Sequence, residues 1–251
     1  MGRFDGKKTL ITGAAHGIGK QIALQFAQEG ADTIIVDFNE ELGSQTAEEL
    51  NANYSPTSLF VKADVSSSES LENVKKIVSE KLGVIDILVL DAGIGIKRTV
   101  KEITNEDWDR VIKINLYGLW NTVRVFYDDL VETKGSIVYI SSGSAASGTG
   151  GAAVYPAAKA GGEGFMRALA KEMGPKGVNV NSIAPRLIDS GDMMRVNYPT
   201  QASLDAVLQK IPMRRFGTVE DVANLTLFLA DKANSYIQGQ TILLDGGRTV
   251  A

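Results

Sequence analysis

Cysteine is absent from the 251 residues, which excludes a disulfide framework, a thiolate nucleophile and any cysteine-held metal. The single histidine, His16, excludes a histidine-rich zinc site, so no metal is expected. No charge of one sign prevails: 26 Lys and Arg against 30 Asp and Glu leave a net charge of -4, with the signs interspersed. That balance gives no reason to expect nucleic acid or an anionic membrane as partner. No apolar run approaches the length of a membrane span, and residues 1–6 are too short and polar for a secretory signal. Gly6 stands where myristoylation needs Ser or Thr. A cytoplasmic protein is the expectation. With 44% hydrophobic residues the chain can bury one full core.

What is present is an alternation of short apolar runs and helical patterns. Residues 8–12 lead into Gly13-x-x-x-Gly17-Ile18-Gly19, after which Ile18, Ile22 and Phe26 recur every four residues up to Gly30. Strand, glycine turn and helix suggest a nucleotide cradle, because glycines admit a pyrophosphate to the backbone and the amides at a helix start favour its charge. The commoner Gly-x-Gly-x-x-Gly spacing is not kept, and such turns also serve packing alone. A second strand over 33–37 ends in Asp37, roughly 20 residues past the glycines, where an acid would hold the adenosine ribose hydroxyls. A 2′-phosphate at roughly 4 Å from this carboxylate would be repelled by about 4 kcal/mol per unit charge at an effective dielectric of about 20. Phe38, Asn39, Glu40 and Glu41 supply no cation to offset it. NAD is therefore expected over NADP, a solvated strand-end aspartate being the alternative.

A third strand over 59–63 ends at Asp64-Val65, near where an adenine would rest, although Asp64 could equally cap a helix over 67–82. The run 85–90, apolar but for Asp86, reads as a buried parallel strand ending in Asp91-Ala92-Gly93. Helical spacing over 105–131 puts Trp108, Val111, Ile112 and Leu116 on one side, with Asn115 beside them. A core-facing amide left unsatisfied costs about 1–3 kcal/mol; Asn115 is thus structural, or it holds a water or tilts the helix near a site. A fifth strand over 136–140 hands over to a loop at Ser142, and a sixth over 178–184 is closed by Pro185. Residues 186–215 read as an insertion with a weak helix over 203–210 and the apolar residues Met193, Met194, Tyr198, Leu204 and Leu208. This is a lid over substrate, or else a helix packed for stability or subunit contact. A helix over 219–229 and a last strand over 241–244 complete one doubly wound α/β domain spanning residues 1–251.

The stretch 142–159 organises the rest. Tyr155 and Lys159 are four apart, so on a helix they share a face. A phenol with a pKa of about 10 needs roughly 4 kcal/mol of preference for the phenolate to fall by about 3 units. One ammonium at roughly 5 Å, at an effective dielectric of about 20, supplies about 3 kcal/mol. Lys159 is accordingly expected to depress the pKa of Tyr155 and turn it into an acid-base catalyst, although Tyr-x-x-x-Lys also occurs on solvated helix faces. Ser142 sits at the carboxyl end of a strand, where ligands bind in open parallel sheets.

Taken in order, Thr12-Gly13-x-x-x-Gly17-Ile18-Gly19, Asp64-Val65, Asp91-Ala92-Gly93, Asn115, Ser142, Tyr155-x-x-x-Lys159, the segment 185–190, the Arg215-Phe216-Gly217 region and the 239–247 ending resemble the short-chain dehydrogenase/reductase family, in its compact subtype. The resemblance covers essentially the whole chain. It implies a seven-stranded parallel Rossmann sheet and a tetrad of Asn115, Ser142, Tyr155 and Lys159. Tyr155 would exchange a proton with the substrate oxygen and Ser142 would polarise it. Lys159 would bind the nicotinamide ribose, and Asn115 would hold a relay water. Cofactor contacts are implied for Gly13, His16, Gly17, Ile18, Gly19, Asp37, Asp64, Val65, Asp91, Ala92, Gly93, Pro185, Ile188 and Ser190, beside Tyr155 and Lys159. Substrate contacts are implied for Ser142, Ser144 and Tyr155; apart from the resemblance, Arg186 or the Lys97-Arg98 pair is a candidate to recognise an acidic or polyhydroxylated substrate. The partner implied is a small alcohol or ketone, and the assembly a homotetramer.

Three departures from the family pattern bear on function. Asn-Asn-Ala-Gly is here Leu90-Asp91-Ala92-Gly93, which brings a carboxylate near the cofactor. Pro-Gly-x-x-x-Thr is here Pro185-Arg186-Leu187-Ile188-Asp189-Ser190, a guanidinium for a glycine. His16 stands where NADP users often carry Arg or Lys. The leading expectation is an NAD-dependent alcohol, polyol or hydroxy-acid dehydrogenase. An NADP-linked ketoreductase and a non-catalytic nucleotide-sensing protein are the alternatives, the latter disfavoured because Tyr155 and Lys159 are both present.

Overall fold

A computed structural model describes residues 2–54, 56–149, 152–190 and 200–249. Seven parallel strands form the central sheet: β1 Lys8–Thr12, β2 Asp32–Asp37, β3 Ser58–Lys62, β4 Ile87–Leu90, β5 Ser136–Ile140, β6 Asn179–Pro185 and β9 Thr241–Leu244. Their order is β3-β2-β1-β4-β5-β6-β9, so the connections run to one side from β1 and to the other from β4. The gap between the ends of β1 and β4 is thus the topological switch point, the place where such sheets bind ligands.

Both faces of the sheet are covered, which is why the strands read as unbroken apolar runs rather than as an alternation with polar residues. Leu10, Ile34, Leu88, Ile137 and Val180 pack on one face. It is covered by α3 Ser68–Lys81, α5 Gly118–Thr133 and α7 Val154–Met173. Their neighbours Ile11, Ile35, Val89, Val138 and Ile183 point the other way, toward α1 Gly17–Gln28, α2 Glu40–Asn53 and α9 Val219–Ala230. The expected layers and strand count stand, with boundaries moved by one or two residues.

The pattern over 105–131 is one rod in three parts: α4 Asn105–Ile112, a π turn Lys113–Tyr117, and α5. The weak helix expected over 203–210 is α8 Gln201–Leu208, started by a reciprocal Thr200–Ser203 cap. Trp108 lies 44% exposed, outside the apolar side to which its spacing assigns it, whereas Val111 is fully buried. Two elements lacked any periodic signal: a single turn, α6 Ser144–Ser147, and a two-residue parallel pairing of β7 Ile188–Asp189 with β8 Gly217–Thr218. That pairing needs Leu187 at φ 58°, a left-handed conformation costing roughly 1–2 kcal/mol for a residue with a Cβ. Met193, Met194 and Tyr198 of the expected lid lie outside the described residues, as do Gly150 and Gly151.

Candidate active site

The β1–α1 turn is shaped by glycines with three different jobs. Gly13, at φ 73°, has its amide on the Val36 carbonyl at 2.8 Å, and a Cβ there would come within 2.9 Å of the Ala92 backbone. Gly19 lies against the turn, where a Cβ would meet the Gly13 carbonyl oxygen at 2.4 Å. Gly17, at φ 59°, faces open space. His16 occupies the N-cap position of α1 without capping it through its side chain, and no acid occupies the first helical turn. Asp37 closes β2 and ties the turn down: Oδ2 accepts the Ala15 amide at 3.1 Å and Oδ1 the Asn39 amide at 2.9 Å. Lys62, its partner in register on β3, is engaged with Glu40 at 2.9 Å.

Of the two readings of Asp64, the adenine side or a helix cap, the capping one does not fit. Ser67 caps α3 by accepting from the Ser70 amide, and Asp64 instead folds back onto the Ser66 amide at 2.8 Å. Val65 and Ala92 border a small internal void beside Tyr139, separate from the main cleft.

That cleft has a volume of about 850 Å³ and opens at the carboxyl ends of β4, β5 and β6. Ile18 and Asp91 form part of its wall on the glycine-turn side; Ser142, Ser144, Tyr155 and Lys159 line its centre. Pro185, Arg186, Ile188 and Ser190 complete the side toward β6. Gly13, His16, Gly17, Gly19, Asp37 and Asp64 are placed around the switch point without lining this cavity.

Ser144 donates from Oγ to Ser142 Oγ at 2.9 Å, and its amide reaches the same oxygen at 3.2 Å. This hydroxyl pair exists because α6 folds residues 144–147 back over the end of β5. Lys159 is buried at 4% exposure; its Nζ donates to the Ile140 carbonyl at 2.8 Å and lies 5.9 Å from the centre of the Tyr155 ring. Asn115, 1% exposed, sits in the π turn and clasps Ile94 from both sides: Oδ1 accepts the Ile94 amide and Nδ2 donates to the Ile94 carbonyl, each at 2.8 Å. Single π turns inside α-helices recur at functional sites; this one points a buried amide at a loop instead of at the next helical turn. A Cβ on Gly93 would lie 3.2 Å from Asn115 Oδ1 and 3.6 Å from Lys159 Nζ, so the two side chains meet over that glycine.

The electrostatics correct one expectation. The pKa of Tyr155 is raised: burial of the phenol is the chief cause, the Ser142 hydrogen bond opposes it, and the Asp91 carboxylate adds to it. Attraction to the Lys159 ammonium is outweighed by desolvation of the phenol and by the nearby carboxylate, neither of which a pairwise Coulomb sum over Tyr155 and Lys159 contains. Burial also pushes Lys159 down to about 8, against the attraction of Asp91 and Glu163. Asp91 itself is pushed up to about 6 by burial, with Lys159, the Gly19 amide and His16 pulling it down. The carboxylate that replaces the family's amide is therefore a member of the site, joining the start of α1 to Lys159.

Sequence reasoning missed several participants. Glu163 accepts from Ser141 Oγ at 2.7 Å and faces Lys159; its position one turn beyond Lys159 was a usable signal. Tyr139, under Lys159 with the ammonium 5.0 Å from its ring centre, is buried with no partner for its hydroxyl among the described residues. Arg248 reaches the cleft from the far end of the chain, and no local pattern announces it. No group of three His, Asp or Glu side chains able to hold a metal occurs among the described residues.

A family model described as enoyl-(acyl carrier protein) reductase, of the short-chain dehydrogenase/reductase type, matches residues 13–249. The chain belongs to the short-chain dehydrogenase/reductase family. Among curated relatives of this family, it is 39% identical to 3-oxoacyl-(acyl-carrier-protein) reductase FabG of Thermotoga maritima, over 99% of this chain and 100% of that one. It is 34% identical to meso-2,3-butanediol dehydrogenase of Serratia marcescens, over 99% and 97% respectively. The crystal structure of levodione reductase superposes with a TM-score of 0.91 at 29% identity, covering 99% of each chain. As a short-chain dehydrogenase/reductase the protein is an oxidoreductase, and family members use a nicotinamide cofactor. No helix among the described residues is long and apolar enough to cross a membrane.

Proposed function

We propose that the protein is an NAD-dependent oxidoreductase that moves hydride between nicotinamide and the carbinol or carbonyl carbon of a small alcohol, polyol or hydroxy acid. The observation carrying this reading is the convergence of Ser142, Tyr155 and Lys159 in one cleft whose other wall is the start of α1. The residues present suit a dinucleotide: Gly13 and Gly19 leave no room for a Cβ, Gly17 opens the turn, and no side chain caps α1. Gly13, His16, Gly17, Ile18 and Gly19 would hold its phosphates, Asp37 the adenosine ribose, Asp64 and Val65 the adenine side, and Pro185, Ile188 and Ser190 the nicotinamide side. When bound, the nicotinamide supplies or accepts the hydride.

The chain's own groups handle the oxygen. Ser142 Oγ, oriented by Ser144, hydrogen-bonds the substrate oxygen, and the Tyr155 phenol gives or takes its proton. Lys159, anchored on the Ile140 carbonyl, holds the ribose next to Tyr155. Asn115 fixes the loop at Ile94 and with it the floor of the cleft. A raised phenol pKa keeps Tyr155 protonated at neutral pH, the form needed to reduce a ketone; this favours keto reduction as a second reading of the physiological direction.

NAD over NADP rests on Asp37, with its neighbouring cation Lys62 already engaged by Glu40. A homotetramer fits the exposed apolar side chains found in two regions of the chain, Trp108, Tyr117 and Trp120 in the first and Phe228, Tyr236 and Leu243 in the second, since a tetramer built from two-fold contacts uses more than one surface. The deciding experiment follows reduced-nicotinamide absorbance with secondary alcohols, polyols, hydroxy acids and the matching ketones, using NAD and NADP in parallel. Turnover confined to NADP would overturn the cofactor assignment, and no turnover with any substrate the oxidoreductase assignment.

A further inference from the structure

Arg186 lies along the mouth of the cleft. Its stem covers Gly143, where a Cβ would fall 2.8 Å from Arg186 Cβ. The guanidinium donates through Nη1 to Thr249 Oγ1 and through Nη2 to Thr149 Oγ1, both at 3.1 Å. Two neutral hydroxyls use two of its five donors and cancel none of its charge. Asp245, the acid that faces Arg186, spends its oxygens on the amides of Gly247 and Thr249, at 2.9 and 2.7 Å.

Arg248, the residue before Thr249, lines the same cleft. Its Nη1 donates to the Lys210 carbonyl at 3.1 Å, and its Nε is buried without a hydrogen-bond partner among the described residues. Arg98, also on the cleft, is neutralised by Asp107 at 2.5 Å. Among the described residues no such ion pair serves Arg186 or Arg248. Two guanidinium groups lining one cavity, neither held in a direct ion pair among the described residues and one with a buried N–H left without a partner, are the recognition chemistry of an oxyanion, whose paired oxygens match the guanidinium fork.

We infer that Arg186 and Arg248 bind a carboxylate or phosphate carried by the substrate. The inference rests on the oxidoreductase reading and narrows it: the substrate is a hydroxy or oxo acid, or a phosphate ester, and not a neutral alcohol.

The test uses the purified full chain and a series of matched length: an oxo acid, its amide, and a phosphate monoester of a hydroxyketone. The expected result is that one or both anions exceed the amide by about 10- to 100-fold in kcat/KM, expressed in KM and shrinking as salt rises. Arg186→Gln and Arg248→Gln should bring the anion-to-amide ratio toward one, and the Lys variants should restore part of it. The preferred anion in the unaltered protein identifies the oxyanion. An amide used as well as both anions overturns the inference, as does an equal loss on charged and neutral substrates in the Gln variants, the mark of a loop brace. Where a variant fails to fold, the ratio and its salt dependence in the unaltered chain decide. If nothing in the series is turned over, the oxidoreductase reading is left to the wider substrate panel, and calorimetric titration with inorganic phosphate and with succinate decides for the arginines: binding abolished by Arg186→Gln supports the site, and no binding to the unaltered chain overturns it.

Discussion

The two halves of the cleft are built from different material. On the switch-point side, position is set by main chain: the Gly13 amide on Val36, the Ala15 and Asn39 amides on Asp37, and a glycine pressed against Ala92. On the substrate side, side chains from distant segments do the work. Ser144 orients Ser142, Asn115 clasps Ile94, Glu163 holds Ser141, and Arg186 ties Thr149 to Thr249. A backbone-built site restricts which residue types can occupy it, so it leaves a legible trace in glycines and strand-end acids. A site built from side chains of separate elements leaves none beyond the residues that do chemistry.

This contrast can be broken most directly at Tyr155. Tyr155→Phe removes only the phenolic oxygen, so turnover should fall by roughly 10²- to 10⁴-fold while the dinucleotide, held by the other half, binds nearly unchanged in a fluorescence titration. A matching loss of dinucleotide affinity would mean that the halves are not separable. In the unaltered protein the raised Tyr155 pKa makes deprotonation the limiting need in oxidation, so initial oxidation rates should climb from neutral to alkaline pH whereas reduction should not; identical profiles would contradict that protonation state.

The converse change is Asp37→Ala. It should cut the preference for NAD over NADP by about 100-fold, a conservative fraction of the roughly 4 kcal/mol repulsion at full effect, with little change in substrate KM. Competitive kinetics with the two dinucleotides measure it, and an unmoved ratio would sever Asp37 from cofactor choice.

Asp91 sits where the halves join and sharpens the comparison in stability. Its folded pKa of about 6 lies above the unfolded value near 3.9. The folded state therefore binds extra proton between about pH 4 and 6, and stability falls as pH rises through that window. Asp91→Asn should raise stability at neutral pH by at most about 3 kcal/mol, a figure already net of the attraction to Lys159, with the gain vanishing near pH 4. Urea unfolding across pH reads this out; a variant less stable at pH 7 than at pH 4, relative to the parent, would show the Lys159 pairing to outweigh burial.

Smallest is Ser144→Ala, which removes one neutral hydrogen bond to Ser142. About 1 kcal/mol is at stake, so kcat should fall about fivefold to tenfold while NAD affinity stays fixed. An unchanged kcat would make Ser144 a matter of packing.

Particular residues show where sequence reasoning reached and where it stopped. The strand ends at Thr12 and Asp37 and the loop after β5 at Ser142 are readable from apolar runs, and Tyr155 with Lys159 from helical spacing. The pKa of Tyr155 was not, because a pairwise Coulomb sum has no term for how deeply a fold buries the phenol. Asn115 was flagged as an amide beside an apolar face, but its choice of Ile94 over a solvent partner depends on a π turn that no periodicity encodes. The β7–β8 pairing and the turn α6 are too short to carry a pattern.

By itself the sequence determined the doubly wound sheet, the glycine turn, the acid that closes β2 and the shared helix face of Tyr155 and Lys159, since each follows from local spacing or backbone sterics. Only the tertiary structure decided how Asp91, Glu163 and Lys159 share charge, and that Arg248 reaches the cleft that Arg186 borders. Burial and convergence belong to the packed whole: they are set by segments far apart in the chain, and no window of sequence contains them.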